Sequence, residues 1–248
     1  MTGRLLVRGM LVGLIAGLLA FGFAKVFGEP QVDNAIAFEE SQAHHHSHGD
    51  AAAAPEEEEL VSRDVQSTFG LLTGVVVYSM SLGGIFALVF AYSLGRIGKV
   101  GPRGLSALLA LAAFVAVFVV PGLVYPPNPP SVGDPNTIGQ RTKLFFLMVL
   151  VSLAAAVIAI NAGRKFIARS GLWNGAIKGV AAYLVIVSVA AYLFPTINEV
   201  PEGFSAVLLW KFRTAALGIQ LVLWTSLGLI FGVVAERLLL PVSRLSKA

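Results

Sequence analysis

The sequence predicts an all-α, polytopic membrane protein with about six transmembrane helices arranged as hairpins and no β-sheet. Composition is the first observation: 56% of the 248 residues are hydrophobic and 13% are charged, whereas roughly 25% are charged in an average soluble domain. The second observation is that long apolar runs alternate with shorter polar links. A helix needs about 20 mostly apolar residues to cross the hydrocarbon core, and these runs approach that length.

Six apolar runs can be counted along the chain, and the alternative count is five, because the fourth and fifth runs are the shortest. The runs lie approximately at residues 5–27, 68–94, 105–124, 144–160, 176–194 and 214–234. They divide the chain into a first transmembrane helix (1–27), an outer loop that is acidic, His-rich and partly disordered (28–66), five further transmembrane helices in one bundle (67–240) and a cytoplasmic tail (241–248).

The first run follows Arg4 and Arg8, a pattern that is also typical of a secretory signal, and cleavage of this segment is the alternative to its retention. Its length favours a retained transmembrane helix. Glycines occur at every fourth position, at Gly9, Gly13 and Gly17. Small residues at this spacing allow two helices to pack closely, so we expect the first helix to contact another.

Basic and acidic residues are divided unequally between the links. If the N-terminus is cytoplasmic, the inner segments carry twelve basic residues and one acid, a net charge of +11. The outer segments then carry six basic residues and thirteen acids, a net charge of −7. Because Lys and Arg are retained on the cytoplasmic side, both termini are predicted to be cytoplasmic and residues 28–66 to lie outside. Such an acidic outer face would concentrate cations.

Several classes of function are excluded or disfavoured. The chain has no cysteine, so disulfides and thiolate metal sites are excluded. No ionisable acid, base or histidine falls in the middle of a predicted span, so the sequence gives no sign of an intramembrane proton relay. Gly95 to Lys99 lack the spacing of an ATP-binding phosphate loop. Nucleic-acid binding is disfavoured because the basic residues form no patch, and we expect no enzymatic activity because the acids are not paired with a nucleophile or base.

The segment 28–66 contains all four histidines and ten of the fourteen acids. Imidazole and carboxylate groups are preferred ligands of divalent cobalt, nickel and zinc. The tract His44, His45, His46 and His48 therefore predicts flexible metal contact, and a plain polar linker is the alternative. The run Glu56–Glu59 is typical of a solvated segment. From Ser41 to Pro55 the composition predicts no packed core.

A second set of oxygen donors lies beside prolines in the outer links. Pro30 suits the first turn of a helix, and such a helix would bring Glu29, Asp33 and Glu40 near one side. Oxygen donors accept a partly hydrated divalent ion, whereas helix capping and turn formation are the alternative roles. The predicted metal-contacting residues are Glu29, Asp33, Glu40, His44, His45, His46, His48, Asp134, Asn198 and Glu199.

Three stretches of the outer links resemble the CbtA family. They are residues 27–40, residues 126–138 with Arg141-Thr142, and residues 197–201 with 209–213. The resemblance implies a multi-pass protein of the bacterial inner membrane that forms the larger subunit of a cobalt transporter linked to cobalamin synthesis. It also implies a small partner, CbtB, with one span and a histidine motif. The resemblance does not identify metal-ligating residues in this chain, and the His tract lies outside the three stretches.

We therefore expect a membrane subunit that takes up divalent cobalt, with the outer acids and the His tract gathering the ion. We expect no tightly bound cofactor. Co²⁺ is expected only as the transported ion. Two alternatives stay open: nickel in place of cobalt, because the two ions lie close together in ligand affinity, and a non-transporting scaffold or sensor that presents the His tract to a partner.

Overall fold

The computed structural model describes residues 1–46, 61–98 and 100–245, and it describes side chains for 1–42, 61–98 and 100–239. Every regular element in these ranges is helical. The helices are α1 (Thr2–Phe23), α2 (Glu29–His46), α3 (Arg63–Val65), α4 (Leu71–Ser93), α5 (Pro102–Ala113), α6 (Val120–Val124), α7 (Ile138–Leu193) and α8 (Ala206–Leu245). Three π-helical segments, Ala24–Gly28, Gln66–Gly70 and Phe114–Val119, join α1 to α2, α3 to α4 and α5 to α6.

Five continuous helical stretches of the described chain are long and apolar enough to cross a membrane. They are Thr2–Gln42, Arg63–Ser93, Pro102–Val124, Ile138–Leu193 and Ala206–Leu239. The predicted fold class, an all-α membrane protein with several transmembrane helices, is therefore confirmed.

The difference between five helices and the predicted six lies in α7. A straight helix of its 56 residues would be about 84 Å long at 1.5 Å per residue, far more than the roughly 30 Å hydrocarbon core. At Gly171 the backbone leaves the helical region, with φ 80° and ψ 168°, a conformation that glycine tolerates because it lacks a Cβ. The hydroxyls of Ser152 and Tyr183, one on each side of this break, lie 2.7 Å apart.

The two arms of α7 thus run antiparallel. The backbones of the arms meet near the turn, where a Cβ added to Gly175 would lie 2.4 Å from the Ile167 nitrogen. They are still close at Gly163 and Gly179, where a Cβ added to Gly179 would lie 3.2 Å from the Gly163 Cα. The arms coincide with the fourth and fifth predicted apolar runs, so the five helices carry six apolar segments.

The helices form two compact units. The first unit contains the described residues of 1–111, 129–131 and 203–248. In this unit α1 packs antiparallel against α4 with the two backbones in contact. A Cβ at Gly9 would lie 2.3 Å from the Gly83 carbonyl oxygen, and one at Gly13 would lie 2.3 Å from the Ser79 carbonyl oxygen. The close packing predicted from the glycine spacing is confirmed.

Helix α8 completes the core of the first unit. The ring of Phe231 meets the rings of Phe86 and Phe90 edge-on, with centroids 5.5 and 5.1 Å away. The neighbouring helix α5 is tied to α8 by the Ser106 hydroxyl, which donates to the Gly228 carbonyl at 2.6 Å. Such hydrogen bonds satisfy polar groups that would otherwise face hydrocarbon.

The second unit contains residues 112–128 and 132–202. Its apolar core contains Tyr125, Met148, Ala155 and Val187. The Tyr125 hydroxyl donates to the Pro195 carbonyl at 2.8 Å. This bond fixes the start of the proline-rich link against the end of α7.

Candidate metal-contacting residues

Glu29 is positioned by the π-helical segment that precedes it. Pro30 has no N–H, so the Val26 carbonyl cannot accept the usual helical hydrogen bond from four residues later. The chain adopts a π turn there, in which the Glu29 N–H donates to the Ala24 carbonyl five residues back. As predicted, Pro30 lies in the first turn of a helix, but no non-helical residue separates that helix from α1.

The π-helical segment Gln66–Gly70, which precedes α4, lies beside the π-helical segment Ala24–Gly28, which follows α1. Lys25 Nζ donates to the Ser67 carbonyl at 3.2 Å and to the Ser67 hydroxyl at 3.0 Å. The lysine is thereby held at the level where both helices depart from α-helical geometry. This places Glu29, one turn further along, opposite the short helix α3.

Arg63, the first residue of α3, binds two of the predicted acids. Its Nε and Nη2 atoms lie 3.0 and 2.9 Å from Asp33 Oδ1, and Nη2 also donates to Glu29 Oε2. The Glu29 side chain is 10% exposed, whereas that of Asp33 is 60% exposed. The prediction that these two acids share one side of the helix is confirmed, and their common partner is a guanidinium group.

The second group of predicted acids centres on Glu199. Its carboxylate accepts hydrogen bonds from the Thr137 hydroxyl and, at 3.0 Å, from the Asp134 N–H. Arg141 Nε lies 3.1 Å from Glu199 Oε2. The Thr137 and Asp134 hydrogen bonds, and then the charge of Arg141, lower the pKa of Glu199 below its ordinary value.

Asp134 occupies the turn before α7. Its Oδ1 accepts hydrogen bonds from the N–H of Asn136 at 2.8 Å and from Asn136 Nδ2 at 3.0 Å. This is the turn-forming role that was the alternative to metal contact. The acid therefore orders the link, and its carboxylate is exposed at the surface.

The other predicted residues are placed as follows. Glu40 lies on α2 and Asn198 lies in the link after α7, both exposed. The backbone of His44, His45 and His46 is part of α2, so the helix continues into the stretch for which composition predicts no packed core. His48 and the run Glu56–Glu59 lie outside the described residues.

No group of three or more Asp, Glu or His side chains within the described ranges is arranged to hold a metal ion. The structure brings Glu29 together with Asp33 in the first unit, and Asp134 together with Glu199 in the second. Arg63 binds both acids of the first pair, and Arg141 binds Glu199 of the second, which leaves a formal charge of −1 per group.

Sequence reasoning missed both arginines. Their signal was present, because Arg63 and Arg141 are basic residues in links that the charge pattern assigns to the acidic side. A basic residue on that side, within an acid-rich link, is a candidate ion-pair partner. In such a group a divalent cation would compete with the guanidinium for the same carboxylate oxygens.

Long apolar helices joined by acid-rich, proline-containing links define this chain as a polytopic helical membrane protein. Comparison with known families then identifies it more narrowly. The chain belongs to the CbtA family, described as "Probable cobalt transporter subunit (CbtA)", whose sequence model matches residues 2–236. No curated protein and no solved structure matches the chain significantly.

The family match confirms the resemblance that three stretches of sequence indicated. It also extends that resemblance to nearly the whole length of the chain. The family is one of transporter subunits, which agrees with the membrane-spanning helices of both units. A role within a membrane transporter follows from these two findings together.

Proposed function

We propose that this protein is the larger, multi-pass subunit of a transporter that takes up divalent cobalt across the bacterial inner membrane and supplies cobalamin synthesis. The single observation that carries the proposal is the family match over residues 2–236. The five membrane-length helices support it. The protein acts without catalysing a reaction and without a tightly bound cofactor, and Co²⁺ is its cargo.

We further propose that both termini are cytoplasmic and that residues 28–66 lie outside. The division of charge supports this orientation, with a net of −7 on one side and +11 on the other. Glu236 is the one acid assigned to the cytoplasmic side, and it is paired with Arg103 at 2.6 Å. Every other acid of the sequence is then assigned to the side from which a cation would enter.

In the proposed mechanism the acidic surface first raises the local concentration of cations. The tract His44, His45, His46 and His48, with Glu40 and Asn198, makes weak and exchanging contacts with the hydrated ion. The carboxylates of Glu29 with Asp33, and of Asp134 with Glu199, then accept the ion as Arg63 and Arg141 are displaced. The membrane potential favours inward movement by about 2.3 kcal/mol per charge for each 100 mV.

Cobalt is proposed as the cargo in preference to nickel on the family description alone. Nitrogen and oxygen ligands bind both ions with similar strength, because the two are neighbours in the affinity order. A small membrane subunit of the CbtB kind is the proposed partner, since the family is one of transporter subunits.

Cobalt accumulation by cells that express the protein tests the proposal. The double variant Glu29→Gln/Asp134→Asn removes one carboxylate from each group and should abolish accumulation above the level of cells without the protein. The matched control is Glu39→Gln/Glu202→Gln, which likewise removes one acid from each compact unit, in this case two exposed acids of the outer links, and should retain uptake. Unchanged accumulation in the first double variant would reject these acids as the uptake site.

A further inference from the structure

An open groove of about 600 Å³ lies along the first arm of α7. Two parallel rows of side chains at four-residue spacing form it. One row contains Val157, Asn161, Lys165 and Arg169, and the other contains Ile158, Ala162 and Phe166. Residues four apart share a helix face, so the groove follows the helix axis.

The groove is apolar at one end and cationic at the other. Val157 and Ile158, near the end of the apolar run at 144–160, are more than half exposed, at 59% and 55%. Lys165 and Arg169 are also exposed and lie towards the turn at Gly171. From Val157 to Arg169 the helix rises about 18 Å, which is comparable with the length of one lipid leaflet's hydrocarbon layer, about 15 Å.

The turn beside the cationic end has the features of a membrane surface. Leu172 and Trp173 are 73% and 78% exposed, and tryptophan is enriched where the bilayer meets water. Lys165 and Arg169 lie six and two residues before the break at Gly171 and are therefore placed at headgroup level. The apolar end of the groove then lies at the level of acyl chains.

No acid neutralises these cations along their own helix, because α7 contains neither Asp nor Glu. A third cation comes from the second arm, where Lys178 Nζ lies 5.6 Å from the centre of the Phe166 ring and 3.4 Å from the Ser170 hydroxyl. The groove is thus positive at the end where a lipid carries its phosphate. A positive lining also disfavours the transported cation as its occupant.

We propose that this groove binds an anionic glycerophospholipid. The phosphate contacts Lys165 and Arg169, and one acyl chain lies along Val157 and Ile158. The Asn161 amide nitrogen donates one hydrogen to the Val157 carbonyl at 2.9 Å, and its second hydrogen is the donor to the glycerol region. Basic pockets at the membrane surface are suited to such headgroups. The bound lipid fixes the depth of the α7 hairpin in the bilayer.

Lipid binding to the purified full-length protein in neutral detergent tests the proposal. Native mass spectrometry would measure the affinity for dioleoyl phosphatidylglycerol and for dioleoyl phosphatidylcholine. We expect phosphatidylglycerol to bind about tenfold more tightly, since each nearby Lys or Arg favours an anionic lipid. Equal affinity for the two lipids would overturn the proposal.

Variants locate the binding to this groove. Lys165→Gln/Arg169→Gln should abolish the preference for phosphatidylglycerol, whereas Lys165→Arg/Arg169→Lys, which keeps both charges, should retain it. Arg4→Gln/Lys143→Gln is the matched control, because it removes two exposed cations outside the groove and should retain the preference as well. A preference that survives in the first double variant would show that the lipid binds elsewhere.

Two further measurements distinguish a lipid from a free anion. Val157→Trp fills the apolar end without changing charge and should weaken phosphatidylglycerol binding severalfold. Inorganic phosphate at millimolar concentration should not displace the lipid, because it has no acyl chain to occupy the apolar end. Full displacement by phosphate, together with no effect of Val157→Trp, would assign the groove to a soluble anion and overturn the lipid proposal.

Discussion

The guanidinium group of Arg141 lies directly against the backbone of Gly133. A Cβ built on Gly133 would be 2.5 Å from Arg141 Nη2 and 2.6 Å from Nη1. Gly133 also has φ of 138°, a conformation that residues with a Cβ rarely adopt. The absence of a side chain at this position therefore allows Arg141 to reach Glu199.

Gly133→Ala should destabilise the second unit by about 1–3 kcal/mol, because the new methyl group combines a steric clash with backbone strain. The measurement is the unfolding midpoint of the purified protein in detergent. Gly139→Ala is the control, since nothing lies within 4 Å of the Cβ it would add, and its midpoint should not fall. Equal midpoints for the two variants would show that Arg141 does not need the space at Gly133.

The ion pair of Glu199 should make the stability of the folded protein depend on pH. The pKa of Glu199 is lowered from 4.5 by the Thr137 and Asp134 hydrogen bonds and by Arg141. The folded state therefore binds fewer protons than the unfolded state, so stabilisation is complete above about pH 4.5 and is lost as pH falls through the lowered value.

The variant Glu199→Gln distinguishes the contribution of Glu199 from the protonation of other groups at low pH. At pH 7 the variant should unfold at a lower temperature than the unsubstituted protein. The difference should shrink towards zero as the pH falls from 4.5 through the lowered pKa of Glu199, where the folded protein also becomes protonated at this residue. A difference that stays constant from pH 7 to pH 3 would mean that the charge of Glu199 contributes nothing.

The contact between α1 and α4 gives a sharper stability test. A Cβ on Gly13 would lie 2.3 Å from the Ser79 carbonyl oxygen, whereas one on Gly22 of the same helix has nothing within 4 Å. Gly13→Ala should therefore cost about 1–3 kcal/mol through overpacking, and Gly22→Ala should be neutral or slightly stabilising. Titration with a denaturing detergent would measure both. Equal stability of the two variants would contradict the close backbone packing.

Arg63 should compete with cobalt for Glu29 and Asp33. Removing its charge in Arg63→Gln should strengthen cobalt binding to the purified protein by up to about fivefold, since a partly exposed ion pair is worth up to about 1 kcal/mol. Arg96→Gln removes an exposed arginine near the other end of α4 and should leave the affinity unchanged. Calorimetric titration with Co²⁺ measures both. Weaker binding by Arg63→Gln would show that Arg63 supports the metal site.

Sequence periodicity predicted the helices well, because apolar length and glycine spacing act locally. The runs at 144–160 and 176–194 are the two arms of α7, and Gly13 contacts α4 as its spacing indicated. The continuation of α1 into α2 was not predicted. It depends on a π turn that accommodates Pro30, and a proline usually indicates the end of a helix.

The candidate site was predicted only in part, because its partners come from distant positions. The side chains of Glu29 and Asp33 lie four residues apart on one helix, which spacing alone predicts. Their partner Arg63 lies 34 residues beyond Glu29, and Arg141 reaches Glu199 across 58 positions of the chain. Contacts at such separations depend on how α7 folds back and how α1 meets α4.

Transport of cobalt by this chain is tested most directly by uptake of radiolabelled Co²⁺ into proteoliposomes, with and without the small membrane subunit. The account predicts saturable uptake, driven by an inside-negative potential, that Glu29→Gln/Asp134→Asn abolishes and Glu39→Gln/Glu202→Gln preserves. Proteoliposomes that contain both subunits and take up no more Co²⁺ than protein-free vesicles would contradict it.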